Sequence, residues 1–228
     1  MTITISEQSN AATAHSLQPL NQQWVTVGGI LGILGSLCYF MAVAPIFPAP
    51  INAYLGFAFG PMISVAFVGI YHFVKAHRNS IPLQIAVLFG IIAGTIVNMM
   101  LVVQQSLVLG LATAERAAMG ATVWQGFNLV QLGLDVSWDI YISLASILLG
   151  AAILDHPRFG RLIGGITILL GASLLVLNMA SFPIPPAQSG SIDLGPVVGT
   201  WYLLLMIRML RSRNWLATAE EKASLPIS

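Results

Sequence analysis

Charge is what this chain has least of. Only 7% of its 228 residues are Asp, Glu, Lys or Arg, against 57% hydrophobic, where a soluble domain carries about 25% charged residues. So few charges do not cover a water-facing surface, and a mean hydropathy of +0.85 places the chain among integral membrane proteins. Cysteine is nearly absent too. Cys38 stands alone in an apolar run, so no internal disulfide forms and the redox compartment is not readable from it. The sequence holds no P-loop, no Gly-rich dinucleotide fingerprint, no HExxH, no nucleophile elbow and no CxxC. No cofactor and no metal site are expected, and enzyme activity is disfavoured. Basic residues form no patch beyond a few loops, which argues against nucleic-acid binding.

What the chain does have is six apolar runs, at 24–46, 53–74, 82–105, 127–153, 162–182 and 195–212. Each is long enough for a helix to cross a hydrocarbon layer of ~30 Å, which takes about 20 residues. The runs are continuously apolar rather than alternating, which disfavours a β-barrel. The predicted fold is all-α, a bundle of six transmembrane helices over residues 23–214, with the lipid bilayer as its first partner. Residues 1–22 are rich in Ser, Thr, Asn, Gln and Ala, with Glu7 their only charged side chain. They lack the basic region and short apolar core of a secretory signal and read as a disordered tail. Residues 215–228 read as a second tail. Small residues recur at packing spacing: Gly28, Gly32 and Ser36 on one ridge, Gly90 and Gly94 on another.

Orientation follows from Lys and Arg. Lys75 and Arg78 follow the second run, Arg158 and Arg161 the fourth, and Arg208, Arg211, Arg213 and Lys222 the sixth; Arg116 alone lies in another loop. Six spans with both termini in the cytoplasm put the other eight basic residues on one side, as expected of a cytoplasmic (inner) membrane protein. The chain also hints at duplication. Gly28-Gly29-Ile30 matches Gly164-Gly165-Ile166, and Leu34-Gly35 matches Leu170-Gly171. Phe47-Pro48, Pro50 and Gly60-Pro61 match Phe182-Pro183, Pro185 and Gly195-Pro196. The first and third hairpins read as a parallel repeat, an arrangement known in transporter folds. Pro61 and Pro196 are each expected in the first turn of a helix, with Asp193 capping the last one.

Against this apolar background, residues 129–146 read LVQLGLDVSWDIYISLAS, with two carboxylates and no Lys or Arg. Asn128, Gln131, Asp135, Trp138 and Asp139 fall on one helical stripe. A charge left in lipid costs roughly 2.5–3.5 kcal/mol by insertion scales, so the stripe turns toward protein or water. Counting from the inner edge of each span, Tyr39, Asn98, Asp139 and Asn178 all lie about 21–24 Å in. Gln104, Gln105, Gln131 and Asp135 lie farther out. The expected picture is an acidic polar cavity in the outer half of the membrane, with Arg116 the one basic residue on that side.

Such a pair without a fixed cation holds protons, holds a cationic ligand, or is kept solvated by water. Alternatively the aspartates only accept hydrogen bonds that fix the bundle, although such contacts average about 0.6 kcal/mol. The candidate ligand- or proton-binding residues are Asp139, Asp135, Asn98, Asn178, Gln131, Tyr39 and Gln105. Met41, Met99, Met100 and Met179 fall near the same depth, and thioethers bind soft metals, but methionine is an ordinary core gap-filler and reads so here. His156, in the stretch DHPRFG, reads as part of a turn between helices.

The run WDIYISLASILLGAAILDHPRFGRLIGGITILLG (138–171), followed by SIDLGPVVGTWYLLLMIRML (191–210), resembles uncharacterised bacterial six-helix membrane proteins grouped as a domain of unknown function. The resemblance implies an α-helical inner-membrane protein and supplies no activity or residue roles. Three functions stay open: a small proton- or cation-linked transporter or ligand-binding protein, a structural or regulatory subunit, and a membrane-embedded enzyme with Asp139 as acid or base. Oligomerisation is left open as well.

Overall fold

A computed structural model describes residues 4–44, 47–110, 118, 120–217 and 219. Among these the chain is all-helical, with no strand. The helices are α1 (Thr4–Val43), α2 (Ala49–Lys75), α3 (Ile81–Gly110), α4 (Ala121–Ile153), α5 (Gly160–Ser181) and α6 (Gly195–Arg211), with a 3-10 turn at Pro186–Ser189 before the last. Helices are the natural outcome, since continuous apolar segments in lipid must satisfy their backbone internally.

Among the described residues five helices are long and apolar enough to cross a membrane: Leu20–Ala42, Pro50–Lys75, Ile81–Ser106, Ala121–Ile153 and Gly160–Ser181. The sixth run also folds as a helix, but α6 has 17 residues, about 26 Å, and falls short of that measure. Loop structure extends to Leu194, so α6 starts only at Gly195, and Arg208 and Arg211 occupy its last turn. At the other extreme α4 has 33 residues, about 50 Å. Its residues 121–130 are exposed on every side, and burial begins at Leu132. The helix of α1 reaches back to Thr4, across residues whose composition suggests disorder, although its apolar span begins at Leu20. Ala11, Ala12, Ala14 and Leu17 are good helix formers, and extending an existing helix costs far less than starting one.

Each helix packs on its successor from α1 to α5, and α6 returns to lie against α1. Glycine sets three of the seams. A Cβ on Gly28 would lie 2.6 Å from Gly69 Cα, one on Gly60 2.5 Å from the Gly94 carbonyl, and one on Gly150 2.7 Å from the Gly164 carbonyl. The backbones of α1–α2, α2–α3 and α4–α5 thus meet with no side chain between them. Phe67, Ile70, Leu149 and Met206 fill the interior. Leu34, Leu88, Leu169 and Val176 point outward, as a lipid-covered surface requires. Met99 and Met179 are exposed while Met100 is buried, so these methionines do not share one site.

The first and third hairpins, matched in sequence, are packed differently. α1 lies along α2, whereas α5 meets α6 at few positions, among them Trp201 Nε1–H donating to Thr167 Oγ1 at 2.9 Å. The matched Gly-Pro pairs also sit differently. Pro196 is in the first turn of α6, as expected, but Pro61 lies inside α2. Helix α2 starts before its apolar run, at Ala49, directly after Pro48, and Pro50 takes the first-turn position. Pro61 then leaves the Phe57 carbonyl without its helical donor.

At one end of the bundle the finish of α2, the α4–α5 turn and the finish of α6 converge. Arg208 Nε–H donates to the Arg158 carbonyl at 3.1 Å, and the Phe73 ring meets Trp215 at 5.5 Å. Among the described residues Lys75, Arg78, Arg158, Arg161, Arg208, Arg211 and Arg213 belong to these segments, away from the acidic stripe of α4.

Candidate functional site

The acidic stripe of α4 turns inward. Asp139 is 5% exposed and Trp138 8%, while Asp135 and Gln131 are half-buried. Across the α4–α5 seam stands Asn178, fully buried. Its Nδ2 donates to Asp139 Oδ2 at 2.8 Å and to the Leu174 carbonyl at 3.0 Å. Two acceptors fix which end of the amide points at the aspartate. Asp139 Oδ1 and Asn178 Oδ1 are buried and have no hydrogen-bond partner.

Asp139 borders a pocket of about 100 Å³. Asp135 and Trp138 form its α4 wall and Tyr39, from α1, the facing wall. The Tyr39 ring is held against Phe59, 5.0 Å between centroids, and lies 3.5 Å from where a Cβ on Gly199 would stand. The ring thus lies over the start of α6, beside Gly195 and Gly199. The roof is the loop after α5, Pro185 to Gln188. Consecutive prolines hold its φ near −65°, and Gly190, at φ 82°, supplies the left-handed turn that only glycine adopts without strain.

Asp193 completes the lining. Its Oδ1 accepts the Gly195 N–H at 2.8 Å, which places a carboxylate at the positive end of α6. Sequence reasoning read Asp193 as a cap only, and the pocket role was missed. The one available signal was that Asp193 is the sole charged residue between α5 and α6. Among the described residues no Lys, Arg or His lines this pocket. Arg116, the basic residue expected on this side, lies outside them.

The structure brings Asp139, Asp135, Asn178 and Tyr39 together. Gln131 lies one turn farther along α4, half-buried. Asn98 and Gln105 go elsewhere. Asn98 packs on Gly60 at the α2–α3 seam, with Oδ1 buried and unpartnered. Gln105 lines a separate, largely apolar pocket with Tyr54, Phe57 and Leu101. Both are at suitable depth on α3, but they face α2 rather than α4.

A second buried polar group sits at the basic end. His156 is 1% exposed. Trp215, Phe73, Phe159 and His77 surround its ring at centroid distances of 4.9, 5.1, 5.2 and 5.4 Å. Nδ1 accepts the Arg158 N–H at 3.2 Å, which leaves the ring proton on Nε2, where no hydrogen bond of ordinary geometry is made. Burial pulls the imidazole down from its ordinary 6.5 to about 4, helped by His77 and Arg158 and opposed by the Phe73 backbone. The neutral ring acts as a plug that ties the α4–α5 turn to α2 and to the segment after α6.

No family model, curated protein or solved structure matches the chain.

Proposed function

We propose that the chain spans a bacterial cytoplasmic membrane six times, both termini inside, and binds a proton or small cation in an acidic pocket in the outer half of the bilayer. In this reading α6 is the sixth span, and the protein is a small cation- or proton-linked transporter or a ligand-binding membrane protein. The gathering of basic residues at one end supports the orientation. The matched residues of the first and third hairpins are read as traces of a duplication whose copies pack differently.

One atom carries the functional reading. Asp139 Oδ1 is buried, unpartnered and part of a side chain that borders a pocket. A carboxylate whose only role is to join α4 to α5 needs one oxygen on Asn178. The second oxygen, left without a donor inside a bundle, costs about 1–3 kcal/mol unless a ligand, proton or solvent meets it. The competing reading, a structural subunit, rests on the Asp139–Asn178 bond itself.

The test is thermal stability of the detergent-solubilised protein from about pH 5 to 9, beside Asp139→Asn, with and without a panel of inorganic and organic cations. A proton site gives wild-type stability that is present at low pH and lost as pH rises. A cation site gives protection by added cation that strengthens as pH rises. Either behaviour, absent from a folded Asp139→Asn variant, supports binding. Identical melting of the two proteins under every condition leaves Asp139 as a packing residue.

A further inference from the structure

We propose that the acidic pocket takes a short alkyl diammonium ion, one ammonium on Asp139 and the other on Asp135. This rests on the cation-site reading and names its ligand class.

Size is the first constraint. A cavity of roughly 150 Å³ holds benzene, so the present pocket, about 100 Å³, encloses about four heavy atoms, enough for most of a short diamine whose outer end reaches the mouth. A bare ion would leave much of it unfilled. Charge is the second. Three carboxylates line the pocket; the positive end of α6 offsets part of the charge of Asp193, so a doubly charged cation matches the pocket better than a singly charged one. Spacing is the third. Asp135 and Asp139 are four residues apart on α4, a rise of about 6 Å. An extended four-carbon diamine spans about 6 Å between its nitrogens at ordinary bond lengths.

The walls agree with an organic cation. Tyr39 and Trp138 border the pocket, and aromatic faces attract ammonium groups while covering an alkyl chain. A hard divalent metal ion needs about six or more oxygen ligands. Among the described residues no three His, Cys, Asp or Glu side chains converge as a metal set. Asp139, 5% exposed, is the deeper of the two carboxylates, and half-buried Asp135 the one nearer the mouth.

The experiment measures binding of 1,4-diaminobutane, 1-aminobutane, K⁺ and Mg²⁺ to the full chain in detergent by calorimetry, with melting midpoints alongside. Diaminobutane should bind at least tenfold more tightly than aminobutane, which has the same carbon chain and one charge. Asp135→Asn should bring the diamine down to the level of the monoamine, and Asp139→Asn should abolish both. Asp135 is half-buried, so its variant decides the matter even if Asp139→Asn fails to fold. Equal affinity for diamine and monoamine overturns the proposal, as does equal or tighter binding of K⁺ or Mg²⁺; both leave the cation-site reading standing. If no cation binds, and pH distinguishes neither variant from wild type, both readings fall together.

Discussion

Asp139 and His156 look alike when only their own atoms are considered. Each is a titratable side chain buried in a helical bundle, each makes one hydrogen bond, and each has a second polar atom without a partner. Their surroundings differ. Asp139 borders a pocket shared with two further carboxylates. His156 is packed ring against ring by four aromatic neighbours. An unpartnered atom on a side chain that borders a polar pocket points to a ligand, whereas one enclosed by aromatic rings points to a plug held neutral. Burial alone does not separate the two cases.

The largest effect expected from breaking this contrast is at the plug. His156→Ala empties a box of large rings and should cost about 3–5 kcal/mol, the range for removing a buried aromatic side chain. Cation response at the other end should survive, and a melting curve with and without cation reads both. Next in size is the pH dependence of the same residue. The folded ring binds its proton near pH 4, whereas a free imidazole binds near 6.5. Above both values neither state is charged and the full stability is present. Between 6.5 and 4 the unfolded chain takes up a proton that the folded one refuses, so stability falls as pH falls, by order 1 kcal/mol per pH unit. His156→Phe should flatten that slope in a pH series of melting midpoints.

A smaller effect is expected at the acidic site. Asn178→Leu removes the donor to Asp139 Oδ2 and should cost about 1–3 kcal/mol. Adding Asp139→Leu should recover much of that loss if the pair is only glue. If the double variant recovers stability but also loses all cation protection, the two roles are separated in one measurement. Smallest is Tyr39→Phe, whose ring packing against Phe59 is kept. Its midpoint should stay within about 0.5 kcal/mol of wild type, and a larger change would mean that the hydroxyl helps hold the fold.

Helix positions were legible in the sequence because hydropathy reports how long a segment can stay in lipid. Counting residues gives height along a helix, which is why the sequence alone groups Asp139, Asn178 and Tyr39. Counting gives no direction around the bundle. Asn98 has the right height, but its helix turns it toward Gly60. Gln105 likewise faces α2. Asp193 entered the pocket through the path of the roof loop, which apolar periodicity does not encode. The burial of His156 depends on side chains from α2, the α4–α5 turn and the segment after α6, so the stretch DHPRFG read as a turn and nothing more. The weak contact between α5 and α6 was equally invisible, since matched residues in two hairpins say nothing about how closely their helices approach.

The paired glycines have a consequence for how the chain tolerates mutation. At Gly28–Gly69, Gly60–Gly94 and Gly150–Gly164 an added Cβ on either member meets the backbone of the other. When a large residue intrudes on a large neighbour, a second mutation that shrinks the neighbour restores the fit. Here the neighbour is already the smallest residue there is. Substitutions at these six positions therefore have no compensating partner change across the seam, and second-site suppressor screens should recover only reversion or changes that move whole helices apart.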